Sequence, residues 1–494
     1  KGLEAVFEYT FDKNIYDYHW YTGQYDYTTI QGGSSKSFVD DYLRKYKQHT
    51  NYNSINVYAT YNKDFGNHHF KVMAGFNQES SYQETLDTYS YNQAVLDVPA
   101  MSSGTGTIKA TDSYSEYAIR GGFFRVNYNY LDKYLLEVNG RYDGSSKFPK
   151  SSRFGFFPSV SAGWQIAQER FMNSTRHWLD GLKLRASYGV IGNQNINPYT
   201  FTPSMSVNNK ATSWIIDDTY VTSISSLPAL VSQNFTWEKV GTINVGLDVN
   251  LFNNRLSGVF EWYQRNTNGM LAPGVQLPAV VGASAPYQNT ADMRTRGWEL
   301  SLNWRDQIGK VGYRIGFNLS DYKSEIIKYD DNAATKLLSS YYPGQTLGEI
   351  WGYVVDGYYT VDDFVDTSSW QLKEGVTSIN GYNVRPGDVK FKNLRDDDTS
   401  TNVITSGDNT FDNPGDRKVI GNTTPRYQYG INLGMNYAGF DLNVILQGTG
   451  KRDYWISNVL TFPMNGDNFV PLFEGLSDYW MPKDPDNGDW SAVN

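Results

Sequence analysis

Along Val240–Leu251 (VGTINVGLDVNL) apolar and polar residues alternate. Ile243, Val245, Leu247, Val249 and Leu251 fall on one side, and Thr242, Asn244, Gly246, Asp248 and Asn250 on the other. Successive side chains of a strand point to opposite faces, so the pattern predicts one apolar surface backed by a polar one. A tight turn at Phe252–Asn254 follows, and alternation resumes near Arg255. The unit of strand, short turn, strand and long loop recurs to the end of the chain.

Period-two patterning predicts about fourteen strands. They pair as Leu3–Phe11 with Ile15–Tyr27 through a turn at Asp12–Asn14, Tyr52–Asp64 with Phe70–Tyr82 through Gly66-Asn67, and Tyr117–Tyr130 with Lys133–Asp143 through Leu131-Asp132. Gly155–Ile166 and Leu182–Ile191 flank ERFMNSTRHWLDG, a segment placed on the short-turn side. Lys239–Leu251 pairs with Arg255–Arg265, Thr295–Trp304 with Lys310–Tyr322 through Gln307–Gly309, and Tyr427–Tyr437 with Phe440–Gln447 through Ala438-Gly439. Short and long connections alternate throughout. That asymmetry is the mark of a transmembrane antiparallel β-barrel, whose tight turns lie in the periplasm and whose long loops lie outside the cell.

Composition adjusts this picture modestly. Tyr, Phe and Trp number 39, 25 and 13, so 16% of the chain is aromatic, which suits interfacial girdles and equally a sugar-binding surface. A net charge of −9 offers little to neutralise phosphates and argues against nucleic acid as a partner. No run of apolar residues is long enough for a transmembrane helix, which leaves a barrel open because its strands show lipid only alternate residues. The absence of cysteine excludes disulfides and thiolate metal sites.

Longer stretches are more specific. RGGFFRVNYNYLDKYLLEVNGRYDGSSKF (Arg120–Phe148) and RFGFFPSVSAGWQIAQERFM (Arg153–Met172) resemble the central barrel of SusC-like TonB-dependent transporters. So do LKLRASYGVIGNQNI (Leu182–Ile196), TWEKVGTINVGLD (Thr236–Asp248), TRGWELSLNW (Thr295–Trp304), GEIWGYVVDGYY (Gly348–Tyr359), RPGDVKFKNL (Arg385–Leu394) and VIGNTTPRYQYGINLGMNYAGFDLNVILQG (Val419–Gly448), in the family's order. The resemblance implies a barrel of about 22 strands, plugged by an N-terminal domain, in the outer membrane of a Bacteroidota cell. Residues 1–494 are then expected to be an internal segment of that barrel, with the plug, the TonB-binding box, the first strands and the closing strands lying outside it. It further implies a SusD-like surface lipoprotein as lid and TonB as energy-coupling partner, and it allows a dimer of transporter–lipoprotein pairs.

No enzyme constellation stands out. The histidines are His19, His49, His68, His69 and His177, and the neighbours His68 and His69 point apart if they lie in a strand. No carboxylate pair is singled out for glycosidic chemistry. The aromatic residues of the long connections, Trp214, Tyr341, Tyr342, Trp351 and Trp370, are the candidate substrate contacts, since such rings stack on sugars or receive apolar peptide side chains. Packing within the loops or against a lid is the competing role. Trp304 and the strand-end tyrosines read as girdle residues. Asp396, Asp398 and Asp416 lie in the acidic stretch NLRDDDTSTNVITSGDNTFDNPGD, where family members carry a DxNGDG-type loop. They are the candidate ligands of a Ca²⁺ ion, but the stretch lacks the glycine on which such a loop turns, which favours a solvated loop. No other cofactor is expected.

The expected function is TonB-dependent uptake of an oligomeric nutrient, glycan ahead of oligopeptide. A passive porin, or an extracellular β-rich glycan-binding or adhesin protein, are the alternatives.

Overall fold

The computed structural model describes residues 2–23, 25–28, 35–38, 41–95, 97–204, 207–208, 215–216, 219–220, 224–225, 228–233, 235–275, 277–332, 334–338, 341–395, 402–456, 482–484 and 489–492. Thirteen strands follow one another as hydrogen-bonded neighbours in chain order. They are β1 (Leu3–Thr22), β2 (Tyr42–Phe65), β3 (His68–Tyr91), β4 (Ile108–Tyr130), β5 (Tyr134–Ser145), β6 (Phe154–Gln165) and β7 (Leu179–Asn193), then β8 (Glu238–Leu251), β9 (Leu256–Pro273), β10 (Tyr287–Ile308), β11 (Val311–Tyr329), β12 (Arg426–Tyr437) and β13 (Phe440–Lys451). Among the described residues no helix is long and apolar enough to cross a membrane.

The turn expected at Asp12–Asn14 does not form. β1 runs unbroken through it, with Asp12, Lys13 and Asn14 opposite Tyr52, Asn51 and Thr50 of β2. These are turn-forming residue types, but the partner offers a continuous row of backbone groups, and a complete ladder outweighs local turn preference. Two expected strands therefore merge, giving thirteen rather than fourteen. β2 and β3 are also longer than expected, each 24 residues. The true turns lie where expected. Phe252, Asn253 and Asn254 all have positive φ (59°, 56° and 58°), a conformation asparagine tolerates better than most residues. Ala438 and Gly439 also have positive φ (49° and 88°), as a two-residue hairpin turn of matching twist requires.

The chain divides into two compact units, Lys1–Gln165 with Arg185–Thr242 and Ala279–Asn289, and Ile166–Leu184 with Ile243–Pro278 and Thr290–Asn494. In the first unit the antiparallel register from β1 to β6 sorts the side chains into rows. One face carries Leu3–Tyr61–Val72–Val126–Val138–Val160, Ala5–Ala59–Ala74–Phe124–Gly140–Pro158 and Phe7–Val57–Phe76–Gly122–Tyr142–Phe156. Below them, beside the tight turns, runs the row Phe65–His68–Tyr130–Tyr134–Trp164, an aromatic border. The other face carries Glu4–Thr60–Met73–Arg125–Asn139–Ser159 and Glu8–Asn56–Asn77–Gly121–Asp143–Gly155. From Tyr134 to Tyr142 the apolar face spans about 27 Å of strand, close to the apolar band of roughly 25 Å that outer-membrane barrels present to lipid. β2 and β3 continue well past this band, to Tyr42 and Tyr91.

The second unit repeats the division. Trp304–Ile315–Leu433–Val444 and Leu302–Phe317–Ile431–Leu446 line one face, and Ser301–Asn318–Gly430–Gln447 and Arg305–Arg314–Gly434–Asn443 the other. Trp304 lies near the Gly309 turn, where its indole N–H donates to the Tyr313 hydroxyl at 3.3 Å. That is the position expected of a girdle residue.

Candidate functional site

The polar face of the first unit is a connected network. Arg125 Nε donates to Asn139 Oδ1 at 2.7 Å, and Asn139 Nδ2 donates to Glu137 Oε1 at 2.7 Å and Ser159 Oγ at 3.2 Å. Asn127 donates to the second Glu137 oxygen. One step along the strand, Arg141 grips Asp143 through two bonds of 3.0 and 2.9 Å, while its guanidinium lies 5.2 Å from the centroid of the Phe123 ring. This grip depends on Gly121, directly opposite Asp143, since a Cβ at that position would overlap the Asp143 carboxylate. The network borders a recess of about 680 Å³, whose lining includes Asn77, Glu79, Glu137, Asn139, Arg141 and Asp143. Glu137 and Asp143 are each met by an arginine, and Glu79 accepts the Tyr52 hydroxyl at 2.8 Å, so the surface is hydrophilic with a modest acidic excess. Such a surface offers donors and acceptors to water or to a polar solute. Sequence reading missed these residues because it sought ligand contacts in loops. The signal available was the polar half of the alternation in Glu137, Asn139, Arg141 and Asp143.

The long connection between β11 and β12 is folded. Tyr342 is buried, its hydroxyl donates to Glu349, and the Trp351 indole N–H donates to Tyr342 Oη at 2.9 Å and Glu349 Oε1 at 2.8 Å. The Thr346 amide donates to the other Glu349 oxygen at 3.2 Å, and Phe411 packs 5.5 Å from the Tyr342 ring. Burial, and then the hydrogen bond to Glu349, push the Tyr342 pKa above the usual phenol range. Farther along, Tyr359, Phe364 and Val384 form a small core, with Trp370, Leu372, Val376 and Ile379 packed around it. Asp363 is anchored beside this core by the Thr360 amide at 2.8 Å and by Lys390 Nζ at 3.1 Å. Burial alone would raise the Asp363 pKa, but the Thr360 amide and the Lys390 ammonium outweigh it and hold the carboxyl below the usual range.

The five aromatic candidates are thus dispersed. Tyr342 and Trp351 share one hydrogen-bonded cluster, and Tyr342 is built into loop packing. Trp370 is half-buried, edge-on to Phe364 at 5.3 Å and under the Arg385 guanidinium. Tyr341 is exposed, with its ring 5.6 Å from that of Tyr329. Trp214 lies outside the described residues, as do Asp396 and Asp398. Asp416 is buried, and its oxygens accept the amides of Leu394 at 2.8 Å, Arg395 at 3.3 Å and Thr405 at 2.8 Å. Those bonds make it a brace that ties two stretches of the loop together. Among the described residues no group of three or more His, Asp or Glu side chains is arranged to hold a metal.

Residues 2–481 match the family described as TonB dependent receptor-like, beta-barrel. TonB-dependent receptor P3 of Formosa agariphila is 29% identical over 447 residues, which is 86% of this chain and 41% of that protein. TonB-dependent receptor SusC of Bacteroides thetaiotaomicron is 32% identical over 283 residues, 56% of this chain and 27% of that protein. The RagAB peptide transporter superposes with a TM-score of 0.70 at 21% identity, over 90% of this chain and 45% of that one. The chain spans less than half the length of these relatives.

Proposed function

Since the chain belongs to the TonB dependent receptor-like β-barrel family, whose members are outer-membrane receptors and transporters rather than enzymes, we propose that it forms part of the wall and outer loops of a transporter importing oligomeric nutrients under TonB drive. The observation that carries this reading is the sorting of faces. An apolar band with an aromatic border suits lipid on one side, and a continuous hydrogen-bonding surface of paired charges suits a hydrated path on the other. A SusD-like lipoprotein captures cargo outside and closes over the barrel. TonB acts through an N-terminal plug that is not among these residues. The folded β11–β12 connection, with its own core, contributes binding surface and a face toward the lid. Tyr341, Trp351 and Trp370 supply ring surface there.

Oligosaccharide is the favoured cargo over oligopeptide. Rings and matched acid–base pairs offer stacking surfaces and hydrogen bonds without a strong field, which suits polyhydroxylated, uncharged chains. The test is native purification of the full-length protein from the outer membrane, with mass spectrometry of co-purifying proteins and ligands, and uptake assays in cells with and without TonB. A co-purifying lipoprotein, bound oligosaccharide and TonB-dependent uptake are expected. Uptake that persists without TonB, from a barrel recovered alone, would mark a passive pore instead.

A further inference from the structure

Above the apolar band, the polar face of β1 to β4 changes character. The register is unbroken, so the residues that follow Glu8, Asn56, Asn77 and Gly121 on this face can be read off directly. They are Tyr18–Tyr46–Asp87–Thr111, then Trp20–Arg44–Tyr89–Lys109, then Thr22–Tyr42–Tyr91, with Tyr16 one step below on β1. The rings form two groups bridged by Arg44. Tyr18 and Tyr46 stack at 5.1 Å, and Tyr16 meets both edge-on at 5.5 and 6.0 Å. Tyr42 lies 5.6 Å from Tyr89 and 5.8 Å from Tyr91. Arg44 sits at the centre, 5.4, 5.6 and 5.2 Å from the Tyr18, Tyr46 and Tyr89 centroids, and Asp87 holds it through bonds of 2.9 and 2.8 Å. Lys109 caps Tyr91 at 4.7 Å.

On the opposite face the chain covers only the upper end of this region, while Lys45, Lys47 and Leu86 stay exposed. Leu43 and Ser90 are buried there under the segment Gln93–Gly104, and Ser90 Oγ donates to the Met101 carbonyl at 3.0 Å. On the aromatic face Tyr16 and Trp20 are 54% and 59% exposed, and Tyr18, Tyr42, Arg44, Tyr46, Tyr89 and Tyr91 are half-buried.

We infer that this surface, centred on Tyr46, Arg44 and Tyr89 and extended by Tyr18, Trp20, Tyr42 and Tyr91, is a stacking platform for a neutral oligosaccharide on its way into the barrel. The inference rests on the import reading given above and names a site for its cargo. The dimensions suit an extended chain of several sugar rings, since Tyr16 to Thr22 spans about 20 Å of strand and three strands about 10 Å of width. Pyranose rings present apolar C–H faces to aromatic rings and hydroxyls to the margins. The tyrosine hydroxyls and the planar Arg44–Asp87 pair supply matching donors and acceptors. Arg44 is paired with Asp87, and Lys109, at the margin, is turned onto Tyr91, its Nζ donating to the Tyr91 hydroxyl at 3.3 Å. A peptide draws affinity mainly from backbone pairing, and the backbone groups of β2 and β3 beneath these rings are already engaged by a neighbour on each side.

The experiment uses the full-length transporter with its lipoprotein, purified from the outer membrane and titrated calorimetrically with malto-, laminari-, xylo- and manno-oligosaccharides and with a mixed oligopeptide pool. TonB-dependent uptake of the same probes is measured in cells. Tyr46→Ala and Trp20→Ala are expected to weaken binding of the recognised saccharide roughly five- to ten-fold each, while Tyr46→Phe and Trp20→Phe stay within about two-fold of the parent. Assembly with the lipoprotein, read by co-purification, is unchanged in all four. Alanine variants that bind and import the saccharide like the parent overturn the platform and leave import standing. A parent that imports peptides and binds no saccharide overturns the occupant, again leaving import intact. A parent that imports none of these probes with TonB present overturns both.

Discussion

Truncating Phe364 to alanine tests whether the β11–β12 connection is a folded body in its own right. Phe364 is 2% exposed and touches Trp370 edge-on at 5.3 Å and Tyr359 at 6.2 Å. Its neighbours are fixed by backbone bonds that fold the segment back on itself: Val365 N–H to the Gln371 carbonyl at 2.7 Å, Lys373 N–H to that of Asp363 at 2.9 Å, and Tyr359 N–H to that of Asp388 at 2.8 Å. With three buried side chains and four partly buried ones, the core has little else to collapse into the space. Removing a buried phenyl ring from such a core costs about 3–5 kcal/mol. If the segment opens as a unit, its opening equilibrium shifts at least about a hundred-fold. Hydrogen exchange of the detergent-purified protein should show that acceleration across Val355–Phe391, while amides of β10 to β13 keep parental rates. Val365→Ala, at an exposed position, is the control and changes exchange by less than about two-fold. An acceleration under about three-fold for Phe364→Ala would refute the idea of a cooperative loop core. Equal acceleration in the strands would refute its independence from the sheet.

Arginine in place of Val138, mid-band on the apolar face, should destabilise the protein refolded into lipid vesicles by about 2–4 kcal/mol, whereas Ser161→Arg, on the polar face beside Glu137, should cost below about 1 kcal/mol; equal costs in denaturant titrations would void the assignment of faces. Asp363 has a depressed pKa when folded, so its contribution is fully present above the usual carboxylate range, about pH 4, and is lost as pH falls through the lower folded value. Exchange protection of the loop should accordingly hold from neutral pH to about pH 4 and fall below it, and Asp363→Asn should flatten that profile. Arg426→Met strands Asp321, which is buried and held by the guanidinium at 2.6 Å, and should cost about 3–5 kcal/mol, read as an earlier heat-induced mobility shift on electrophoresis; an Arg426→Met protein as heat-resistant as the parent would remove that pair from the account.

What the sequence disclosed and what it hid follow one physical boundary. Within the bilayer, one face must be apolar, so the alternation in Val240–Leu251, Tyr134–Tyr142 and Tyr427–Tyr437 is strong and locates strands and turns alike. Beyond the bilayer both faces meet water, and the alternation fades although the ladder continues. That is why Tyr42–Asn51 and Gln83–Tyr91 read as loop, and why Asp12–Asn14 read as a turn. The connections carry a similar irregularity. Residues 166–178 lie on the turn side yet form a longer link than residues 146–153 on the loop side, because short 3₁₀ turns at Ile166–Gln168 and Arg170–Thr175 occupy them.

The same boundary explains the candidate site. In the connections, Tyr342 and Trp351 join a hydrogen-bonded cluster around Glu349, and Asp416 accepts backbone amides. The motifs YDYHWYT and TYSY carry rings two residues apart and YLRKY carries them four apart, spacings that put them on one side of a strand. That spacing becomes meaningful only once the register sets Tyr46 opposite Tyr18 and Tyr89 opposite Arg44. Side-chain periodicity assigns a face to each strand separately. Only cross-strand pairing turns several such faces into a surface, and a surface is what an extended ligand meets. For a wall protein of this kind, recognition is therefore encoded in register at least as much as in loop composition. A one-residue slip between β2 and β3 would turn the Tyr89 and Tyr91 rings to the opposite face while leaving every residue in the chain unchanged.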